Sequence, residues 1–164
     1  MITEQDREHL IGFLGGRVDC RVLTRREIND FLDYCELLSV PTGQIIADIG
    51  EVGESLYFLL EGEASLIVGP RENEVEVGRI LTGEMLGEMS FFDRQPRLVR
   101  LRSIGKQPAR LLRLPRPMYE RLRLERPFLA VLLLEYALIS LDHLYRRTST
   151  DVAVLNQYIH NIGK

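Results

Sequence analysis

Glu88 and Arg97 are the two residues of this chain best placed to do chemistry together. They lie nine positions apart in GEMLGEMSFFDRQPRLV (83–99), with Gly87 ahead of the acid and Pro96 ahead of the base. A guanidinium keeps its charge and prefers a partner that accepts two parallel hydrogen bonds, a carboxylate or a phosphate. A carboxylate only accepts, which suits a sugar hydroxyl. Gly83 and Gly87 permit unusual φ angles and close backbone approach. If Glu88–Phe92 forms one helical turn, its free N–H groups face the same anion. Two readings follow. In one, Arg97 and the turn hold a phosphate while Glu88 takes a hydroxyl, which describes a sugar-phosphate ligand. In the other, Glu88 and Arg97 pair with each other across a turn.

The elements around this loop change character twice. Thr3 with Asp6, and Thr24 with Glu27, have the spacing of helix caps, each followed by an apolar face: Leu10, Ile11 and Leu14, then Ile28, Phe31, Leu32 and Cys35. Gly15-Gly16 stops the first helix. From Val40, segments of strand length alternate with glycine-containing turns: 44–48, 55–61, 63–68, 74–81, 97–104 and 109–114. This pattern predicts an antiparallel sandwich or barrel. Gly78 marks a bulge. In a strand starting at Arg97, alternation puts Arg97, Val99 and Leu101 inside and Leu98, Arg100 and Arg102 on a solvated face. Arg97 then points inward at the barrel mouth.

Helix returns after Pro115, over 117–124 and again from Phe128 to about Arg147. The last helix is apolar nearly all round for four turns, so it must be covered on more than one face, by the β-core and by a second copy of the chain. Thr148 and Asp151 predict a separate short helix with Val152, Leu155 and Ile159 on one side. The fold class is mainly β with flanking helices. Residues 1–164 read as one domain, with helices over 3–37, the β-region over 40–114 and further helices over 116–162.

Composition narrows the function. The 164 residues carry a net charge of −3, with 45% hydrophobic and 27% charged residues. That balance fits a soluble globular domain and argues against a protein that coats nucleic acid. Cys20 and Cys35 lack metal-ligand spacing and suit a reduced, cytoplasmic protein. His9, His143 and His160 are scattered, so no metal site and no nucleophile–base pair is expected. The N-terminus is polar and acidic, without a signal peptide. The longest apolar run, Phe128–Leu134, is too short to span a bilayer.

The order of these elements resembles the cyclic nucleotide-binding domain family, which includes the catabolite activator protein and the regulatory subunit of protein kinase A. The residues that carry the resemblance are Leu23-Thr24, Gly43, Gly50-Glu51, Leu56-Tyr57-Phe58, Gly62, Gly83, Gly87-Glu88 and Pro96-Arg97. The resemblance spans about residues 20–147. It implies an antiparallel β-roll, jelly-roll-like, and a regulatory module rather than an enzyme. The expected ligand is a cyclic nucleotide, cAMP or cGMP, with no cofactor. Glu88 would receive the ribose 2′-hydroxyl, Arg97 the cyclic phosphate, and N–H groups of Glu88, Met89 and Ser90 would complete the cradle. Gly87, Pro96 and Leu98 shape the site. The base would lie under the last long helix; Tyr136 and Tyr145 there read first as core or dimer packing, with stacking on the base as the alternative. The expected partners are a second copy of the chain, joined through that helix, and a downstream protein. The residues after Arg147 are too few for a helix-turn-helix, so direct DNA binding is not expected. The chain departs from the family at Leu98-Val99, where Ser, Thr or Ala followed by Ala is usual, and at Ser90, usually Ala or Gly.

Overall fold

The computed structural model describes residues 2–15 and 23–162. Gly16 and Cys20 lie outside the described residues, as do the side chains beyond Ser149, His160 among them. The chain runs α1 (Glu4–Gly15), α2 (Arg25–Leu32), β1 (Glu36–Val40), β2 (Ile45–Ala47), β3 (Ser55–Glu61), β4 (Glu63–Val68), β5 (Val75–Ile80) and β6 (Met85–Leu86). It continues through α3 (Glu88–Asp93), β7 (Arg100–Ile104), β8 (Ala109–Pro115), α4 (Arg116–Glu125) and α5 (Pro127–Ile162). Thr24 and Glu27 form the reciprocal capping box of α2: the Glu27 N–H donates to Thr24 Oγ1 at 3.2 Å and the Thr24 N–H to Glu27 Oε2 at 2.7 Å.

Two four-stranded antiparallel sheets, β1-β8-β3-β6 and β2-β7-β4-β5, form a β-roll. Two-residue periodicity divides β3 and β8 between two cores. Leu56, Phe58 and Leu60 of β3, with Leu112 and Leu114 of β8, face the helices. Leu59 and Leu111 face the interior of the roll, with Leu66, Ile80, Leu86 and Leu101. Both faces of this sheet are covered, so β3 reads as a continuous apolar run. On β5, Gly78 pairs with Leu66 and Glu76 with Ile67, leaving Val77 extra: the bulge falls beside Gly78.

Four expectations need correction. The helical stretch does not extend to residue 37, because Asp33 and Tyr34 turn the chain into β1, which pairs with β8. The strand expected from Arg97 begins at Arg100. Arg97 is held by a loop instead: its N–H donates to Glu51 O and its carbonyl accepts from the Gly50 N–H, both at 2.9 Å. Arg100 and Arg102 share the outer face, but Arg100 is not solvated. Its side chain is 6% exposed and pairs with Asp48 and Glu74, and Arg102 makes two 2.6 Å bonds to Glu74. Finally, α5 runs unbroken through Thr148 and Asp151 to Ile162.

Helix α5 is also more apolar over length than its longest run suggests. Pro127–Arg146 has a mean hydropathy of 1.6, enough by length and composition to cross a bilayer, and 22% of it is buried. Its Leu129, Ala130, Leu133 and Ala137 pack into the core, against the roll and α4. Phe128, Val131, Leu134, Leu138 and Tyr145 remain exposed.

The ion-pair network on the outer face makes the fold acid-sensitive. The Arg100 guanidinium lowers the Asp48 carboxyl, and Arg102 together with Arg100 lowers Glu74. Their folded-state values lie below the ordinary 3.8 and 4.5, so their stabilisation is complete above those values and is lost as pH falls through the lowered ones. Thermal melts from about pH 7 to about pH 3 should therefore show an acid limb. Glu74→Gln should lower the melting temperature at neutral pH and flatten that limb. An unchanged limb would remove Glu74 as its source.

Candidate functional site

The loop between β6 and β7 is built around two close approaches. Gly87 ends β6 with φ +89, a left-handed conformation that glycine adopts at little cost. A Cβ there would also sit 3.3 Å from both Nη1 and Nη2 of Arg97. Gly53 comes from the β2–β3 loop. A Cβ on it would meet Phe91 N at 2.7 Å and Arg97 Nη2 at 3.1 Å, so the β2–β3 loop lies directly against the backbone of α3. Pro96 bridges to Val52, fixing the start of the Arg97 segment.

Arg97 is 8% exposed. Its Nε is buried and has no hydrogen-bond partner, and among the described residues it is the one such buried side-chain atom. Arg97 forms no ion pair with Glu88. The internal salt bridge offered as the alternative reading is therefore not made. Glu88 is itself buried at the start of α3, and burial pushes its carboxyl up from the usual range. Its own backbone N–H and the Arg97 charge only partly oppose that rise.

The other residues of the loop divide by orientation. Ser90 is buried, and its Oγ accepts from the Gly53 N–H at 2.7 Å and donates to Gln95 O at 2.6 Å. Its hydroxyl thus ties α3 to the two segments beside it. Met89 is exposed. Leu98 is 82% exposed, so most of its bulk projects to solvent. Gly87, Glu88, Met89, Ser90, Pro96, Arg97 and Leu98 all line one cleft of about 650 Å³.

The rest of that cleft is aliphatic. Leu66, Val77, Ile80 and Leu101 of the β2-β7-β4-β5 sheet line it, with Leu86, Val99 and, from α5, Leu144. Tyr136 and Tyr145 do not line it: the Tyr136 hydroxyl donates to Gly83 O, its ring packs on Phe58, and Tyr145 is exposed. Arg94 caps α3 with φ +59 and stays outside the cleft.

Sequence reasoning missed the residues that join this loop to the helices after the roll. Arg116, the first residue of α4, donates to Gly53 O and Phe91 O, pairs with Glu54 at 3.0 Å and lies 4.2 Å over the Phe91 ring. Tyr119 of α4 packs edge-on against both Phe91 and Phe92. The available signal was a cation at a helix N-terminus, where the helix dipole disfavours it unless other partners hold it.

Comparisons with known proteins agree with this geometry. Residues 37–126 match the family model described as the cyclic nucleotide-binding domain. A 69-residue stretch is 35% identical to the cAMP-dependent protein kinase type I-alpha regulatory subunit of Mesocricetus auratus, and it covers 41% of each protein. The chain thus matches about two fifths of that relative's length. Among solved structures, a cyclic nucleotide-binding domain from Methylobacillus flagellatus KT superposes with a TM-score of 0.76 at 20% identity, over 91% of this chain and 83% of that one. The catabolite activator protein of Thermus thermophilus superposes with a TM-score of 0.64 at 24% identity, over 82% and 61%. With a buried arginine and a buried glutamate in one cleft of a β-roll, and the family model matched over more than half its length, this chain belongs to the cyclic nucleotide-binding domain family.

Proposed function

We propose that this chain is a regulatory ligand-sensing module that takes a cyclic nucleotide, cAMP or cGMP, in the cleft at Arg97 and signals by helix rearrangement to a protein partner. One observation carries the reading: a buried guanidinium whose Nε has no protein partner. An unpaired buried charge is costly, and a bound anion relieves that cost. A cyclic phosphate supplies one negative charge and oxygens for several N–H donors. The first N–H groups of α3 follow Gly87, which lies against the same guanidinium, and would add donors. Glu88 accepts the ribose hydroxyl, and the aliphatic wall receives the base.

Signalling follows from what α3 touches. Anion binding at Gly87–Ser90 stiffens α3, and α3 presents Phe91 and Phe92 to Tyr119, with Arg116 bonded across to Gly53 and Phe91. A shift of α3 therefore changes the seat of α4 and, through it, α5. The ligand acts by favouring one of two packings.

Removing Arg97's charge tests the site without breaking the fold. Arg97→Met should melt at or above the parent temperature, because no ion pair is lost. In calorimetric titration it should bind cAMP and cGMP at least about a hundredfold more weakly. Unfolding of Arg97→Met would instead favour a structural role. Glu88→Gln should weaken binding by about tenfold. It should also raise the melting temperature, and more so as pH rises above 4.5, since burial penalises the ionised carboxylate. A melting temperature below the parent's at neutral pH would count against that role.

The exposed face of α5 supports a homodimer. Val131, Leu134, Leu138 and Tyr145 are spaced by three, four and seven residues, as on a coiled-coil seam, and the spacing continues in the sequence with Val152, Leu155 and Ile159. Leu138→Glu should convert a dimer to a monomer in sedimentation velocity while leaving the melting of the roll intact. A monomeric parent protein at micromolar concentration would refute the dimer.

A further inference from the structure

We infer that the cleft discriminates among purine cyclic nucleotides by exclusion, favouring adenine over guanine; this rests on the cyclic nucleotide reading above. The observation is where the polar groups lie. Among the described residues, every polar side chain lining the cleft belongs to residues 88–97: Glu88, Ser90, Asp93, Gln95 and Arg97. Ser90 is fully engaged within the loop, and Asp93 and Gln95 bond within it from exposed positions. Ser90 Oγ bonds Gly53 N and Gln95 O, Asp93 Oδ1 accepts from the Gln95 N–H at 2.9 Å, and Gln95 Nε2 lies 3.5 Å from Asp93 O. Glu88 and Arg97 remain for the ribose hydroxyl and the phosphate.

A base seated against the sheet meets described side chains that neither donate nor accept. Leu66, Val77, Ile80 and Leu101 form the sheet side of the cleft and Leu144 the α5 side. The backbone does not compensate over β4 and β7, which are interior strands with neighbours on both sides. Guanine brings an O6 acceptor, an N1–H and an exocyclic amine to its pairing edge; adenine brings one amine and one acceptor. Each of these groups loses its water on entry, and each one buried without a partner weakens binding. The base with fewer such groups is favoured, and no residue recognises adenine as such.

The order of affinities for 3′,5′-cyclic nucleotides that differ only in the base tests this. Isothermal titration of the refolded, ligand-free chain should place cAMP and cIMP, whose bases each bring two such groups, close together and both above cGMP. The span from cAMP to cGMP should be roughly tenfold to a hundredfold. Gln95→Ala should leave the ratio of cAMP to cGMP affinity unchanged, because the discrimination lies in the aliphatic wall. Equal affinities, or cGMP the tightest, overturn the inference, as does a Gln95→Ala protein in which the preference disappears. If all three bind equally and Arg97→Met abolishes all three, the cyclic nucleotide reading stands and the exclusion argument is wrong. If none binds, both fall.

Discussion

A buried guanidinium without a protein carboxylate is the constraint around which this fold is arranged. Arginine cannot neutralise itself by losing a proton at any accessible pH. Burying it is tolerable only if hydrogen bonds replace water, and a buried donor left unmet costs about 1–3 kcal/mol. Arg97 carries such a donor. Its neighbours hold it in place without cancelling its charge. Gly87 and Gly53 lack the Cβ atoms that would crowd it, and the β2–β3 loop hydrogen-bonds its backbone on both sides. Glu88 is close enough to feel the charge but forms no ion pair with it. Contrast Arg100, three residues on, which is equally buried and pairs with both Asp48 and Glu74. Two arginines of one segment meet opposite solutions, and only the second serves stability alone.

The same constraint gives the loop its reach into the helices. Whatever fixes Arg97 also fixes α3, because Gly53 touches both the guanidinium and the α3 backbone. Arg116 then bonds to Gly53 and to the end of α3 at once. A carbonyl that moves with the loop is thus tied to the first residue of α4. These contacts make a contiguous run of packed groups from Arg97 to α4, the route along which the proposed signal would pass. Helix α5 closes the circuit, since Leu144 lines the cleft while Leu129, Ala130, Leu133 and Ala137 pack into the core.

Much of this was legible before any coordinates, and the failures have physical causes. β3 and β4 fall at the residues where turn glycines and alternation put them, because Gly62 separates two strongly apolar runs. β1 was lost because ELLSV carries no glycine punctuation and follows a genuine helix. Arg97 was assigned the right inward direction for the wrong reason. Alternation assumed a strand, whereas the backbone there is paired with a distant loop that no local pattern reveals. Arg100 looked like a solvated strand residue because its partners, Asp48 and Glu74, are far away in sequence. Alternation within the sheet was correct; burial of its outer face by an ion network was not visible. Glu88 and Arg97 were legible as a pair of chemical groups, but their failure to bond each other required the geometry.

Leu98 shows how a departure from a family pattern should be weighed. Replacing a small or hydroxylated residue beside the phosphate site by leucine suggests obstruction as well as a lost hydrogen bond. The two effects separate once its direction is known. At 82% exposed, most of the leucine lies outside the cleft, so the volume beside Arg97 remains open. Ser90 cannot make up the missing hydroxyl, because its own is held between Gly53 and Gln95. Relative to family members with Ser or Thr here, leucine lacks a neutral donor beside the guanidinium. Under the proposed reading, an anion would lean on charge and on the backbone N–H groups of α3 more than it would with a hydroxyl present. That makes Arg97 less replaceable in this chain: lysine would bring the charge but not the planar, forked donor set.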